Sequence, residues 1–160
     1  MDIDKTDRKI LYLLEKETET NLTHDKIAER IDVSSSTVTN RIQELKNEGI
    51  LEGFQPKVNY EQAGIPYHVL FVCTVPVEKR RSLAEEALAV DGVVETRELL
   101  TGRRNLHVEV VSIDISTVES CSEELESKGI DIDQSDILRR KSTQPFNHII
   151  QEMVDKSNIE

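Results

Sequence analysis

The sequence contains no tryptophan, and tyrosine and phenylalanine make up only 4% of its 160 residues. Proteins that hold single-stranded nucleic acid stack its bases on aromatic side chains, so this composition argues against such a platform. Long apolar runs are missing too, since none approaches the roughly 18 residues that a membrane-spanning helix needs. The N-terminal MDIDKTDRK is polar and acidic, unlike a signal peptide. We therefore expect a cytoplasmic protein.

Cysteine is scarce, and the residues that catalysis or metal binding would need are scattered. The two cysteines, Cys73 and Cys121, have no cysteine or histidine partner at metal-ligand spacing, so we expect both to pack in a core. No HxxxH or CxxC spacing and no glycine-rich phosphate loop occurs. The sequence thus predicts a protein that is not an enzyme and has no catalytic residue, metal site or cofactor. The four histidines lie in separate segments: His24, His68, His107 and His148.

Positive charge is also in short supply. The chain carries 31 acidic and 20 basic residues, which give a net charge of −11. Such a surface repels nucleic acid, so a DNA partner has to be argued from local features against the overall charge. The apolar fraction of 37% is enough to build a core in one domain or in two small ones.

The first 60 residues carry the signals of three short helices, the second and third in HDKIAERI and TVTNRIQELKNEG. Thr23 is placed to cap the second helix, and Ser34 or Ser35 to cap the third. Gly49 then stands at a C-terminal cap position. Because the tight DVSS connection joins the second and third helices, the pattern predicts a helix-turn-helix domain over residues 1–60.

After Gly49 the periodicity changes. The stretch ILEGFQPKVNYEQAGIP has extended character and is interrupted by glycine and proline, which indicates a strand or wing followed by a linker at residues 61–66. The first domain is thus predicted to be a winged helix-turn-helix domain. Residues 67–142 show strand and helix patterns in the order β-α-β-β-α-β, which predicts a ferredoxin-like domain in an α+β protein. Residues 143–160 have the apolar spacing of an amphipathic tail helix.

The two helices of the ferredoxin-like domain can cover only one face of its sheet. We expect a second copy of the chain to cover the other face, which makes a homodimer. In the first of these helices four apolar residues are expected to face the sheet: Leu83, Ala84, Ala87 and Leu88.

Four consecutive hydroxyl residues precede the third helix, although a cap needs only one. Hydroxyls and helix N-terminal amides can contact phosphates, asparagine or glutamine pairs with adenine edges, and arginine pairs with guanine. These side chains lie opposite the apolar stripe of the helix and can therefore face DNA. A solvated helix start with a redundant cap is the plain alternative. The predicted DNA-binding residues are Ser34, Ser35, Ser36, Thr37, Thr39, Asn40, Arg41, Gln43 and Lys46.

The charge around this helix is balanced, because three basic residues between Ser34 and Tyr60 are matched by three acidic ones. A single copy should therefore bind double-stranded DNA poorly. Two copies would place two recognition helices in successive major grooves, about 34 Å apart. The sequence thus favours a dimer or a larger assembly as the DNA-binding form.

The segment LLTGRRNLHVEV places Gly102, Arg103, Arg104 and Asn105 between two predicted strands. A hairpin needs a turn here, which explains these residues without any ligand. Two adjacent arginines with free backbone amides would also suit a carboxylate ligand. Both interpretations are open at this point.

The stretch from DKTDRKILYLL to EGILEGF, together with the β-α-β-β-α-β half, resembles the leucine-responsive and asparagine-responsive regulator family (Lrp/AsnC) over nearly the whole chain. The resemblance implies a transcription regulator that dimerises through its sheets, commonly forms tetramers or octamers, and binds a small amino acid between subunits. It implies DNA contacts from the helix Ser34–Glu48. It also implies an effector pocket built by Gly102–Asn105 and by the last strand at about Ser135–Leu138, which includes Asp136.

At one position the sequence departs from the family pattern. The family often has an aspartate where this chain has Asn105, and the change removes a partner for the α-amino group of a ligand. Asp136 can substitute for that carboxylate. Alternatively, Arg103 and Arg104 indicate a more acidic ligand, or there is no ligand.

Two other functions are compatible with the sequence. Sirohaem decarboxylases resemble this architecture and surround a tetrapyrrole with histidine, tyrosine and arginine, but the final strand DILRRK offers arginines and no tyrosine. The second alternative is an assembly partner that does not bind DNA itself and joins related regulators through the sensing domain. The balanced charge of the recognition region is consistent with that role.

Overall fold

The computed structural model describes residues 2–16 and 22–145. The described chain forms two compact units, one from residues up to Lys57 and the other from Val58–Lys141. The division falls a few residues before the predicted linker. The predicted tail helix lies outside the described residues from position 146 onward. None of the helices within the described ranges is long and apolar enough to cross a membrane.

The first unit contains three helices, α1 (Lys5–Lys16), α2 (His24–Ile31) and α3 (Ser35–Asn47). Apolar residues at helical spacing give each helix one apolar side, and the three sides meet in one core. The predicted helix-turn-helix is thereby confirmed. The buried residues of this core are Ile10, Ile27, Ala28, Val38, Ile42 and Leu45.

Side-chain caps fix where these helices begin. The Asp4 Oδ1 atom accepts a hydrogen bond from the Asp7 N–H at 2.9 Å, and the Asp7 Oδ2 atom accepts one from the Asp4 N–H at 3.0 Å. This reciprocal pair is a capping box made of two aspartates. Thr23 caps α2 and Ser34 caps α3, each accepting from a backbone N–H three residues on, so both cap predictions are confirmed.

Gly49 ends α3 with a left-handed backbone at φ +67°. Its N–H donates to the Lys46 carbonyl at 3.1 Å, and the Ile50 N–H donates to the Leu45 carbonyl at 2.9 Å. These two bonds form the Schellman arrangement, which requires a left-handed residue just after the helix. The predicted cap position of Gly49 is therefore confirmed.

The sequence predicts a strand or wing after Gly49, and the structure contains no strand in residues 50–66, so the strand alternative is wrong. The Leu51 N–H donates to the Leu45 carbonyl at 3.0 Å, which holds the start of this segment against the end of α3. The chain then runs through Gly53 and Pro56, residue types that weaken strand pairing. It ends in a turn in which the Ile65 N–H donates to the Tyr60 carbonyl at 2.8 Å.

The second unit is a four-stranded antiparallel sheet with two helices, and its order confirms the predicted ferredoxin-like domain. The strands lie side by side in the order β2-β3-β1-β4. A short 3-10 turn, Val77–Lys79, precedes the first of the two helices. The elements are β1 (Tyr67–Thr74), α4 (Arg80–Leu88), β2 (Val93–Glu98), β3 (Leu106–Ser112), α5 (Ile115–Ser127) and β4 (Asp131–Ile137).

The core of this unit includes both cysteines, as predicted. Cys73 and Cys121 are buried, and burial raises the pKa of these thiols to about 12 and about 11. Both therefore behave as small apolar groups at neutral pH. The prediction for Leu88 is wrong: it is the last residue of α4 and is 51% exposed, because the helix ends there. The other three predicted residues are buried: Leu83, Ala84 and Ala87.

Replacing Gly49 by alanine should lower the free energy of unfolding of the first unit by about 1–2 kcal/mol, because an L-residue is strained in the left-handed region. No atom lies within 4 Å of a Cβ added at Gly49, so the cost comes from the backbone alone. Urea unfolding followed by circular dichroism measures it. The matched control is Gly53→Ala, which also has free space but no positive φ. Equal stabilities of the two variants would contradict the Schellman argument.

Candidate DNA interface and effector hairpin

The hydroxyl group of Ser34 organises the start of α3. Its Oγ atom accepts from the Thr37 N–H at 3.1 Å and lies 2.8 Å from the hydroxyl oxygens of both Ser36 and Thr37. One side chain thus caps the helix and links two further hydroxyls. The helix cap that the sequence predicts is therefore present, and the hydroxyls of Ser34 and Thr37 both take part in it.

Two other hydroxyls join α3 to α2. The Ser35 hydroxyl donates to the Asp25 carboxylate. The Thr39 hydroxyl donates to the Ser35 carbonyl at 2.9 Å, and the same oxygen lies 2.8 Å from the His24 Nδ1 atom. Because the single Thr39 proton is used, His24 is the donor in that second bond. These contacts fix the angle between the two helices of the helix-turn-helix.

The remaining predicted DNA-binding residues of α3 are exposed: Ser36, Asn40, Gln43 and Lys46. The Gln43 amide donates to Asn47 Oδ1 at 2.9 Å, and the Lys46 ammonium lies 5.6 Å from the centre of the Phe54 ring. Asn40 makes no side-chain hydrogen bond to any residue in the described parts of the chain. The exposed face of α3 therefore offers mainly uncharged hydrogen-bonding groups.

Arg41 differs from these residues because its guanidinium points back into its own unit. Its Nη2 atom lies 3.0 Å from Asp4 Oδ2, and its Nη1 atom lies 3.7 Å from Asp7 Oδ2 and 3.6 Å from Glu44. The Asp7 side chain is fully buried, whereas that of Arg41 is 34% exposed. The arginine thus supplies the positive charge that a buried carboxylate needs.

The surroundings of Asp4 favour its charged form. The hydrogen bond from the Asp7 N–H lowers the pKa of the Asp4 carboxyl, and the nearby Arg41 charge lowers it further, against the effect of partial burial. An ionised Asp4 both caps α1 and pairs with the guanidinium. Direct DNA contact by Arg41 stays a prediction, and it would have to compete with these ion pairs.

The hairpin between β2 and β3 is held in place by Asn105. This side chain is only 2% exposed, and its Oδ1 atom accepts from the Val75 N–H at 2.9 Å while its Nδ2 donates to the Val75 carbonyl at 2.8 Å. The Leu99 N–H donates to the Asn105 carbonyl at 2.9 Å, and Arg80 donates to the Leu99 carbonyl at 2.6 Å. Asn105 therefore acts as a structural clamp, and its predicted effector contact stays untested.

The tip of the hairpin borders a surface depression lined by Gly102, Arg103, Arg104 and Asp133. Gly102 has a left-handed backbone at φ +98°, and both arginines are exposed. The Arg104 Nη1 atom lies 3.4 Å from the Gln134 side-chain oxygen. Three of the six predicted effector residues are thus brought together. Sequence reasoning missed Asp133, which follows a register shift that no strand pattern predicts.

The two predicted residues of β4 do not line this depression. Ser135 lies opposite Phe71 and is exposed, and Asp136 lies opposite Leu70. The Asp136 carboxylate accepts two hydrogen bonds from the Gln134 amide, at 3.0 and 2.8 Å. Asp136 therefore already has a partner, and the Gln134 side chain lies between it and Arg104.

The sheet face that carries no helix has an apolar strip. Leu70 and Val72 of β1 and Val111 of β3 lie on it and are half-buried. These are the apolar positions for which the sequence predicts a covering partner.

The buried carboxylate of Glu109 lies next to this apolar strip, opposite Leu70. The Glu109 side chain is only 5% exposed and is paired with Arg97, with the His68 Nε2 atom at 3.1 Å and with Lys141 at 3.5 Å. Burial lowers the pKa of His68, and the Lys141 charge lowers it further. His68 is therefore a neutral hydrogen-bond donor to Glu109 at pH 7. The carboxylate takes its charge compensation from Arg97 and Lys141.

No group of three or more His, Cys, Asp or Glu side chains able to hold a metal ion occurs in the part of the chain that the structure describes.

Comparison with known proteins agrees with this geometry. A family profile described as winged helix-turn-helix DNA-binding matches residues 3–52. An uncharacterised HTH-type transcriptional regulator from Pyrococcus furiosus is 33% identical over 108 residues, which cover 68% of this chain and 71% of that protein. The HTH-type transcriptional regulator LrpA of Pyrococcus horikoshii is 30% identical over 84 residues, 52% of this chain and 58% of that protein.

Solved structures show the same fold. A transcriptional regulator from Neisseria meningitidis, crystallised as a complex with L-Met, superposes with a TM-score of 0.69 at 20% identity and covers 92% of this chain and 99% of that chain. The profile match and the regulator relatives identify the chain as a transcriptional regulator with a helix-turn-helix DNA-binding domain. The chain belongs to the Lrp/AsnC family of these regulators.

Replacing Arg41 by alanine should lower the free energy of unfolding of the first unit by about 1–3 kcal/mol, because the buried Asp7 carboxylate loses its cation. Thermal and urea unfolding measure the change. Lys26→Ala removes an exposed cation of α2 and serves as the control, with an expected change within about 0.5 kcal/mol. If Arg41→Ala were as stable as the control, the structural role of Arg41 would be refuted.

Proposed function

We propose that this regulator binds specific double-stranded DNA sites through the N-terminal half of α3. The observation that carries the proposal is the exposed and unpartnered Asn40 amide, one turn beyond a helix start that is locked by the Ser34 cap. An amide of this kind can form two hydrogen bonds with an adenine edge in the major groove. Ser36 and the first backbone amides of α3 stand beside it for phosphate contacts.

The charge of the interface argues for two copies at one operator. The cations of α3 are Arg41, which is ion-paired inside the unit, and Lys46. A single helix of this composition gains little from the phosphate backbone. Two helices in successive major grooves add their contacts, so we infer that the DNA-binding form is a dimer or a larger assembly.

The uncovered sheet face supports that assembly. Leu70, Val72 and Val111 form an apolar strip on it, which would leave water when a second copy packs against it. The buried Glu109 beside this strip already has two cationic partners within its own chain, so its charge does not oppose the contact.

A small-molecule effector is the further part of the proposal. Two exposed arginines, Arg103 and Arg104, border a depression at a hairpin that Asn105 fixes rigidly. The Neisseria regulator of the same fold was crystallised with L-Met. We infer that a small amino acid or a related metabolite binds at this hairpin and modulates DNA binding.

Replacing Asn40 by alanine should weaken binding to a specific operator by about 1–3 kcal/mol, because one paired base edge is lost. The operator is first recovered by selecting bound fragments from genomic DNA, and fluorescence anisotropy then measures the affinity. The control is Asn47→Ala, the same change at the other end of α3, which should bind nearly as the wild type.

Equal affinities of the Asn40 and Asn47 variants would contradict the proposed readout. If the wild-type protein selected no DNA at all but co-purified with a related regulator, the assembly-partner function would replace the proposal.

Replacing Val72 by glutamate should convert the dimer to a monomer, because the interface would have to bury an unpaired charge. Sedimentation velocity at micromolar concentration measures the mass, and circular dichroism checks the fold. Leu88→Glu places the same charge at an exposed apolar residue at the end of α4 and is the control. An assembly that Leu88→Glu disrupts and Val72→Glu does not would show that a different surface is used.

A further inference from the structure

An apolar groove lies on the first unit, between the second half of α1 and the segment that follows α3. Phe54 in this groove is 61% exposed, although the burial of an aromatic ring is strongly favourable. Neighbouring apolar side chains that are left at a surface mark a contact site. The apolar residues that line the groove are Leu11, Leu14, Ile50, Leu51 and Phe54.

The position and the size of the groove restrict what it can hold. It lies at the C-terminal end of α3, and a helix of 13 residues is about 20 Å long, so it is remote from the proposed DNA contacts at the start of the helix. Its volume of about 260 Å³ is below the roughly 300–1,000 Å³ of pockets that enclose small molecules. Both properties favour an occupant that inserts a few apolar side chains.

The chain itself contains a segment with a matching apolar side. Residues 146–160 lie outside the described residues, and their sequence has apolar side chains at positions i, i+3, i+4, i+7 and i+8. In a helix these positions share one side. The same spacing is used by helices that bind in apolar grooves. The five residues are Phe146, Ile149, Ile150, Met153 and Val154.

The place where the described chain ends agrees with this occupant. Residues 142–145 follow the second unit in sequence, but they group with the first unit. The tail therefore starts from the unit that carries the groove. Residues 17–21, which also lie outside the described residues, have the sequence ETETN and contain no apolar side chain that could fill the groove.

The charges beside the two apolar surfaces are complementary. Glu15 lines the groove. In a helical tail Lys156 would flank the apolar side, because it lies three residues after Met153. An ion pair at a surface adds little affinity, but complementary charges fix the register of a contact.

We propose that the C-terminal tail, residues 146–160, forms a helix whose apolar side docks in the groove on the first unit of the same chain. Docking removes Phe54 and Ile50 from water and extends the core of the DNA-binding unit. The docking surface is separate from the proposed DNA contacts at the other end of α3. The inference is therefore independent of the DNA readout and of the effector proposed above.

Amide hydrogen exchange of the full-length protein, followed by mass spectrometry of the tail peptides, tests the proposal. An isolated helix of about 15 residues is only marginally stable in water, so slow exchange in the tail reports docking. Exchange should be at least about tenfold slower than in a synthetic peptide of residues 146–160. Phe54→Ser in the groove and Ile150→Ser in the tail should each restore the rate of the peptide.

Each variant has a matched control. Val77→Ser replaces an exposed apolar residue of the second unit, and Gln151→Ser changes the polar side of the tail. Both should keep the slow exchange. Circular dichroism checks the fold of all four variants. Should Phe54→Ser unfold the first unit, Ile150→Ser still decides the result, because it changes no residue of that unit's core.

Cysteine pairs identify which chain supplies the tail. Phe54→Cys is combined in turn with Ile149→Cys, Ile150→Cys or Met153→Cys, and each protein is oxidised. The native Cys73 and Cys121 are buried, so only the introduced thiols should react. At least one pair should give a monomer cross-linked within one chain on a denaturing, non-reducing gel.

Four results would overturn the inference. The wild-type tail could exchange as fast as the peptide, or Phe54→Ser and Ile150→Ser could leave slow exchange unchanged, which would place the tail elsewhere. None of the three cysteine pairs could cross-link. Cross-links between two chains would show that a second copy supplies the occupant.

Discussion

The helix-turn-helix unit depends on a carboxylate that has been removed from water. Asp7 is fully buried, and one of its oxygens accepts the Asp4 N–H at the start of α1. A buried carboxylate is tolerated when a cation and hydrogen bonds compensate it, and Arg41 provides the cation from α3. This pairing ties α1 to α3 and holds α3 in position. The Arg41 guanidinium, which would suit guanine recognition, therefore forms ion pairs within the unit.

The sequence was informative wherever the chemistry is local. The hydroxyl caps at Thr23 and Ser34, the glycine after α3 and the β-α-β-β-α-β order all follow from neighbouring residues or from simple periodicity. The strand expected after Gly49 depends instead on a pairing partner. Residues 50–66 have the composition of an extended segment, but they form no strand.

The contacts that could not be predicted from the sequence join residues that are far apart in the chain. The partners of Arg41 lie at the N-terminus, so nothing next to Arg41 indicates an internal ion pair. The bulge at Asp133 breaks the alternation on which strand predictions rest. The sequence predicts Asn105 as part of a ligand loop, whereas its amide matches both the N–H and the carbonyl of Val75. An ionised aspartate has no donor for that carbonyl, so the clamp explains why an asparagine suits this position.

The composition of the exposed face of α3 has a consequence for how binding would respond to ionic strength. Arg41 is occupied within the unit, and the remaining side chains at the start of the helix are hydroxyls and an amide. Such groups recognise phosphates and bases without displacing the condensed cations that surround DNA. A pair of these helices would release few counterions, so the affinity would change little with salt. The regulator would then depend on shape and hydrogen bonding at its operator rather than on long-range attraction along the chromosome.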